Sequence, residues 1–304
     1  MNTNKLSSWY VTGFADAESC FRVAMRKDKA YKTGWGLRAE FSIELHVKDL
    51  ALLKQIQIFF GVGRVSNNIG NGSVIYSVTK LKDLTGVIIP HFMMYSLLTQ
   101  KRSDFILFKR IVELMEDKEH LNLKGVQKIV EIKASLNKGL SPELEISFPD
   151  TIPCEKPKVE LIGRIDPNWL AGFVDGEGCF HVQIGKDKTF KTGYHVALKF
   201  IITQHSRDVE LIKSLINYFG PFCGKVTEYP TYVNFFVTKI NDITENILPF
   251  FDKYPLLSAK KKDLSDFTKV AELMKNKAHT TCEGLDQIRL IKSRMNRGRD
   301  HSIE

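Results

Sequence analysis

Glu18 and Glu177 stand 159 residues apart, and the same offset relates residue after residue along the rest of the chain. Lys27-Asp28-Lys29 returns as Lys186-Asp187-Lys188, Lys32-Thr33-Gly34 as Lys191-Thr192-Gly193, Phe60-Gly61 as Phe219-Gly220, and Val78-Thr79-Lys80 as Val237-Thr238-Lys239. Lys101 returns as Lys260, Met115 as Met274, His120 as His279, and Asn137 and Gly139 as Asn296 and Gly298. A chain of this kind is expected to fold as two copies of one unit, each burying its own core. With 304 residues, 43% hydrophobic and 26% charged, it has material for both.

Within the first copy, Phe21, Val23 and Met25 alternate with Cys20, Arg22, Ala24 and Arg26, the period of a half-buried strand. The Lys-Asp-Lys to Thr-Gly segment reads as a hairpin loop. The returning strand sets Leu37, Ala39, Phe41, Ile43 and Leu45 against Gly36, Arg38, Glu40, Ser42 and Glu44. Asp49 is placed to cap a helix that carries Leu50, Leu53, Ile56 and Phe60 and closes at Gly61. Two shorter strands follow, then a helical stripe of Phe105, Phe108, Val112 and Met115 and a further helix over 126–136. Each copy is thus an α/β unit of the form αββαββα, spanning 1–139 and 167–304. Residues 140–166 carry Pro142, Pro149, Pro153 and Pro157 with little periodicity and read as a linker, long enough to let the second unit face the first as a pseudo-twofold partner.

The segment from Trp169 to Phe180 and its echo from Trp9 to Phe21 hold the chemistry. Gly172 and Gly176 are four apart, as are Gly13 and Ala17, so each short helix shows a strip of small residues that lets another backbone approach closely. Packing the two strips together would bring Glu18 and Glu177 side by side at the negative pole of each helix dipole. Like charges there destabilise a fold unless a divalent cation lies between them, and carboxylate oxygens suit magnesium or calcium.

The residues from Leu170 to Gly178, and more loosely from Val11 to Ser19, resemble the signature of LAGLIDADG homing endonucleases, in the single-chain, two-motif form encoded in fungal organelle introns. The resemblance covers both halves. It implies a monomer whose two four-stranded sheets form a saddle on double-stranded DNA. The implied activity is cleavage of a long, asymmetric target by metal-dependent phosphodiester hydrolysis, leaving 3′ overhangs. By resemblance, Glu18 and Glu177 hold the metal together with the backbone carbonyls of Ala17 and Gly176. Lys101 and Lys260 support the scissile phosphate and its water, although the run Lys260-Lys261-Lys262 leaves that assignment open by one position. The implied cofactor is Mg2+, with Ca2+ or Mn2+ able to occupy the same sites, and the implied location is the mitochondrion. The expected DNA-facing residues are Cys20, Arg22, Ala24, Arg26, Arg38, Glu40, Ser42, Glu44 and Ser77 in the first unit. In the second they are Cys179, His181, Gln183, His195, Lys199, Ile201, Thr203 and Phe236.

Where the chain departs from the signature, Thr12 replaces an alanine and Ser19 the final glycine, changes expected to loosen the interface of the first copy, though both residues are small. Asp16 and Asp175 lie two residues before the glutamates on a different helix face and are expected to be structural. Arg102, Lys261 and Lys262 read as a solvated helix start. A rival reading is an intron-splicing maturase, which uses the same fold to bind RNA without cutting DNA. Both glutamates are present here, which favours cleavage.

Other chemistries find no footing. None of the eight histidines has a ligand-spaced His or Cys neighbour, and the repeat-paired His46 with His205 and His120 with His279 are expected at helix ends or loops. Five scattered cysteines fit a reducing compartment. A net charge of +9 with a pI near 9.1 suggests a polyanionic partner. The start of the chain lacks an apolar leader core, and no apolar run is long enough to span a bilayer, so a soluble, non-secreted protein is expected.

Overall fold

A computed structural model of the chain describes residues 6–68, 72–160, 163–220 and 222–299, and it divides into two compact units, 1–162 and 163–304. The first five residues, where a leader was sought, lie outside the described residues. None of the described helices is long and apolar enough to cross a membrane.

The first unit contains α1 (Ser8–Glu18), β1 (Ser19–Lys27), β2 (Trp35–His46), α2 (Leu50–Phe60), β3 (Arg64–Asn68), β4 (Ser73–Val78), α3 (Ile89–Met94), α4 (Lys101–Glu116), α5 (Leu123–Ser135) and α6 (Pro142–Ser147). The second contains α7 (Pro167–Glu177), β5 (Gly178–Lys186), β6 (Tyr194–His205), α8 (Val209–Tyr218), β7 (Lys225–Glu228), β8 (Tyr232–Val237), α9 (Leu248–Lys253), α10 (Lys260–Lys275) and α11 (Cys282–Ser293). Each unit holds one antiparallel sheet, ordered β1-β2-β4-β3 and β5-β6-β8-β7. Gly61 ends α2 at φ 69°, a left-handed conformation that costs glycine nothing.

The period-two alternation decides which sheet face is covered. Phe21 is buried and its ring lies 5.2–5.4 Å from those of Phe41, Phe92, Phe105 and Phe108, so β1, β2, α3 and α4 meet around one side chain. Phe180 does the same with Phe200, Phe251 and Phe267 in the second unit. Edge-on aromatic clusters of this kind add to the stabilisation from area burial. A shared polar fastener lies beyond α5 and α11. Asn137 and Asn296, both at φ 53°, donate their side-chain amides to Phe21 O and Phe180 O and their backbone N–H groups to Asp104 and Asp263.

The stretch read as a linker, 140–166, is packed along much of its length. Up to residue 160 the segment is fastened to the first unit: Leu144 is buried, Phe148 packs on Trp35, Cys154 N donates to Glu131 O, and Ser135 Oγ donates to Cys154 O. Ser103 Oγ donates to Pro157 O, and Lys156 pairs with the buried Asp104 at 2.8 Å. Prolines suppress helical periodicity but leave carbonyls free to accept bonds, which is why the pattern looked linker-like. In the second unit, Arg299 meets the equivalent Asp263 together with Asp266.

Thr12 is held within its own unit. Its hydroxyl donates to Tyr95 O and lies 3.0 Å from His91 Nε2, so the imidazole donates to it in return. The second unit places Ala171 and Phe250 at the matching positions, a hydrogen-bonded pair exchanged for an apolar one. Ser19 likewise donates its hydroxyl to Ala15 O, which adds a bond at the helix end.

Burial pushes the His91 imidazole down to about 4. The unfolded chain takes up this proton near pH 6.5 and the folded chain only near 4, so the unfolded state binds more protons in between. Stability from this site is therefore full above pH 6.5 and falls as pH drops towards 4, by up to about 3 kcal/mol. The double variant Thr12→Ala/His91→Phe, which imports the second unit's pair, is expected to flatten the loss between pH 6.5 and 4 in urea denaturation. An unchanged pH profile would contradict this assignment.

Candidate active sites

Each signature helix stops where its strand begins, leaving the carbonyls of the last turn without intrahelical partners. At the end of α1, Ala15 O accepts from Ser19 N and Ser19 Oγ. Lys101 Nζ then reaches in from the first residue of α4 and donates to Ala15 O at 3.0 Å and Ala17 O at 3.2 Å. In the second unit Lys260 Nζ donates to Val174 O at 3.1 Å and Gly176 O at 2.5 Å. Among Lys260, Lys261 and Lys262, the first is the one that reaches the helix end. Glu18 and Glu177 are the next residues along, both half-buried.

The aspartates expected to be structural are what aim the lysines. Buried Asp16 accepts from Leu98 N, Thr99 N and Thr99 Oγ1, and Thr99 Oγ1 in turn accepts from Lys101 N. Asp175 accepts from Leu257 N, Ser258 N and Ser258 Oγ, and Ser258 Oγ accepts from Lys260 N. A relay of aspartate, hydroxyl and lysine backbone thus fixes where each long helix starts.

Gln204 was missed by sequence reasoning. Its Nε2 lies 3.4 Å from Glu177 Oε1, while its own Oε1 accepts from His205 N. The available signal was a polar residue at an inward strand position whose repeat partner is Leu45.

Carboxylate and backbone carbonyl oxygens adjoin at each helix end, which are hard ligands suited to magnesium or calcium. Among the described residues no group of three or more His, Cys, Asp and Glu gathers as an all-protein cage. The residues therefore fit a cation that completes its shell with water and phosphate. His46 and His205 cap short turns through Nδ1, accepting from Lys48 N and Arg207 N. His120 and His279 sit in matching one-turn helices, and Nδ1 of each is buried without a partner.

The uncovered sheet faces carry most of the expected DNA-facing residues. In the first unit Cys20, Arg22, Ala24 and Arg26 pair across from Ser42, Glu40, Arg38 and Gly36. Arg38 is engaged by Glu40 at 3.4 Å, and Ser73 Oγ donates to Glu44 at 2.5 Å. Arg22 helps hold the Lys133 ammonium below its usual range, secondary to burial, a mark of crowded positive charge. Ser77 has the outward register but is buried, because it lies on an inner strand between Ser42 and Arg64, so its side chain is withdrawn from that surface.

In the second unit Cys179, His181 and Gln183 pair with Ile201, Lys199 and Ala197, while Ile201 and Thr203 pair onward with Phe236 and Asn234. Burial first, then Lys292 and Lys199, lowers the His181 pKa and favours its neutral form. A Cβ at Gly185 would lie 2.4 Å from the His195 ring, so the imidazole lies over the glycine and would have to shift for a larger residue. Arg64, Ser66, Ile75, Lys225, Thr227 and Asn234 share these faces and were missed, those of β3 and β7 because these strands are too short to show alternation. Asn234 Oδ1 is buried without a partner.

Comparison with known proteins agrees with this geometry. The model of the LAGLIDADG endonuclease family matches residues 11–112 and 170–271. Probable intron-encoded endonuclease 2 of Neurospora crassa is 40% identical over 301 residues, covering 95% of this chain and 65% of the relative. Probable intron-encoded endonuclease 3 of the same fungus is 37% identical over 297 residues, covering 96% of this chain and 55% of the relative. The chain thus spans less than two thirds of the length of each. The structure of I-SmaMI bound to an uncleaved DNA target in the presence of calcium ions is 44% identical, with a TM-score of 0.93 over 97% of this chain and 100% of that one. I-LtrWI bound to target DNA is 39% identical, with a TM-score of 0.93 over 96% and 98%. With both halves matched and the fold shared throughout, the chain belongs to the LAGLIDADG endonuclease family.

Proposed function

We propose that this protein is a sequence-specific, double-strand DNA endonuclease that acts as a monomer on a long, asymmetric target and leaves 3′ overhangs. The observation that carries the reading occurs once in each unit: a signature helix ending in a glutamate, with a lysine aimed at the carbonyl just before it, at the start of a sheet with an uncovered polar face. Relatives named as intron-encoded endonucleases and solved structures titled with uncleaved and with cleaved DNA support it. A host location in a fungal mitochondrion rests on relatives of the same kind, one of them described from an ND4 intron of Podospora anserina.

In this reading Glu18 with Ala17 O, and Glu177 with Gly176 O, hold Mg2+, for which Ca2+ or Mn2+ can substitute. The bound metal supplies an activated water and charge stabilisation for the leaving oxygen. The chain's own contribution is positional. Asp16 and Asp175 fix the start of α4 and α10, Lys101 and Lys260 bring an ammonium to the place where a phosphate's charge develops, and Gln204 steadies one oxygen of Glu177. A two-stranded ribbon fits the major groove, so β1-β2 and β5-β6 are the readers of sequence. Because Arg22 faces His181 in the repeat, Ala24 faces Gln183, Glu40 faces Lys199 and Glu44 faces Thr203, the two half-sites differ.

The direct test is incubation with a randomised duplex library and Mg2+, followed by sequencing of cleaved ends. Recovery of one asymmetric consensus with 3′ overhangs is expected, and a palindromic consensus would remove strand-face readout from the account. Glu177→Gln is expected to bring double-strand cleavage to background while the mobility-shift affinity for the selected target stays near that of wild type, since a metal ligand and not a phosphate contact is lost. Arg38→Ala should cost about 1–3 kcal/mol of binding and relax preference at one or two base pairs of one half-site. Adding Glu40→Ala should restore part of that affinity, because the lone carboxylate would otherwise repel phosphate. Equal weakening on every sequence would show that Arg38 touches only the backbone.

A further inference from the structure

We infer that the Lys101 and Lys260 ammonium groups compete with the divalent cation for one backbone carbonyl in each unit, Ala17 O and Gly176 O. The inference rests on the metal assignment proposed above and adds a second task for the lysines within it. The last carbonyls of a helix form its negative pole, and any cation that reaches them is held there. The lysines do not arrive by chance. Each is the first residue of its long helix, each backbone N–H is tied through a hydroxyl to a buried aspartate, and each side chain touches the same two carbonyl positions of its own unit.

Ala15 O and Val174 O also accept backbone bonds from Ser19 N and Gly178 N, so the helix keeps those contacts when a lysine moves away. Ala17 O and Gly176 O lie next to the glutamates, where a cation bridging carboxylate and carbonyl would sit. A dication on that oxygen repels an ammonium about 3 Å from the same oxygen, since little water can screen two charges so close. The lysine therefore leaves the carbonyl as the cation takes it, and the displaced ammonium becomes available to a phosphate oxygen. In this account each lysine lowers cation affinity in exchange for holding the helix end together until the cation is present.

The test is calorimetric titration of Ca2+ into the protein bound to its selected target, with melting in EDTA measured alongside. Lys101→Met and Lys260→Met are expected to bind Ca2+ on the order of tenfold more tightly in the altered unit and to melt lower in EDTA, with the deficit shrinking in saturating Ca2+. Lys→Arg variants, which keep the charge, should stay near wild-type Ca2+ affinity. Lys→Gln variants remove the charge but keep a donor for the carbonyl, so they make the same test should the methionine forms fail to fold. Ca2+ affinity that is unchanged or weaker in the uncharged variants overturns the competition while leaving the metal assignment standing. Absence of Ca2+ binding by wild type, with no difference in Glu18→Gln, overturns the metal assignment and the competition together.

Discussion

A buried carboxylate near the end of each signature helix organises everything around it. Asp16 and Asp175 are at most 3% exposed, and an ionised group so placed is costly unless its oxygens are saturated with donors. They are saturated by a turn more than eighty residues further on, through two backbone N–H groups and a hydroxyl in each unit. That one contact fixes the angle at which the long helix leaves the turn, and with it the lysine that touches the signature helix. Removing the carboxylate would leave buried donors unpaired, at about 1–3 kcal/mol each, and would release the lysine as well. Stability and the placement of the lysine thus depend on the same bonds.

The sequence made the architecture legible because duplication repeats the signal. A single alternating run such as Phe21, Val23 and Met25 is an ordinary strand, but its return as Phe180, Val182 and Ile184 fixed both the register and the inward face. The same offset pairs Glu18 with Glu177 and Lys101 with Lys260, and the donors on Asp16 and Asp175 tie those aspartates to the fold. What stayed hidden depended on single, non-repeated contacts. Lys156 serves Asp104 from a proline-rich stretch, whereas the partner of Asp263 is Arg299, so no offset links the two. Gln204 replaces a leucine, and Ser77 has the right parity on a strand too enclosed to use it. Alternation predicts direction, not depth, and depth is set by neighbouring strands that sequence does not order.

Divergence between the copies follows two different physical rules. Inside, a lost partner is replaced: Thr12 with His91 becomes Ala171 with Phe250, and the aspartate kept at 104 and 263 exchanges its partner Lys156 for Arg299. A buried polar group left without its partner would be stranded, so the change at one member is met by another. Outside, residues change singly, since solvent or a ligand completes the hydrogen bonds in either case.

The outer faces are nonetheless not unconstrained. Arg38 and Glu40 form an ion pair that adds no net charge, and the equivalent Ala197 and Lys199 add one positive charge. Arg22 is replaced by a histidine whose burial and cationic neighbours favour the neutral form, so charge lost at one position reappears one cross-strand neighbour away, at Lys199. Individual chemistry has been rewritten while neither patch has become negative. Under the proposed function such a face has to attract phosphate and still distinguish base sequences, and a patch that changes its residues without turning negative meets both conditions.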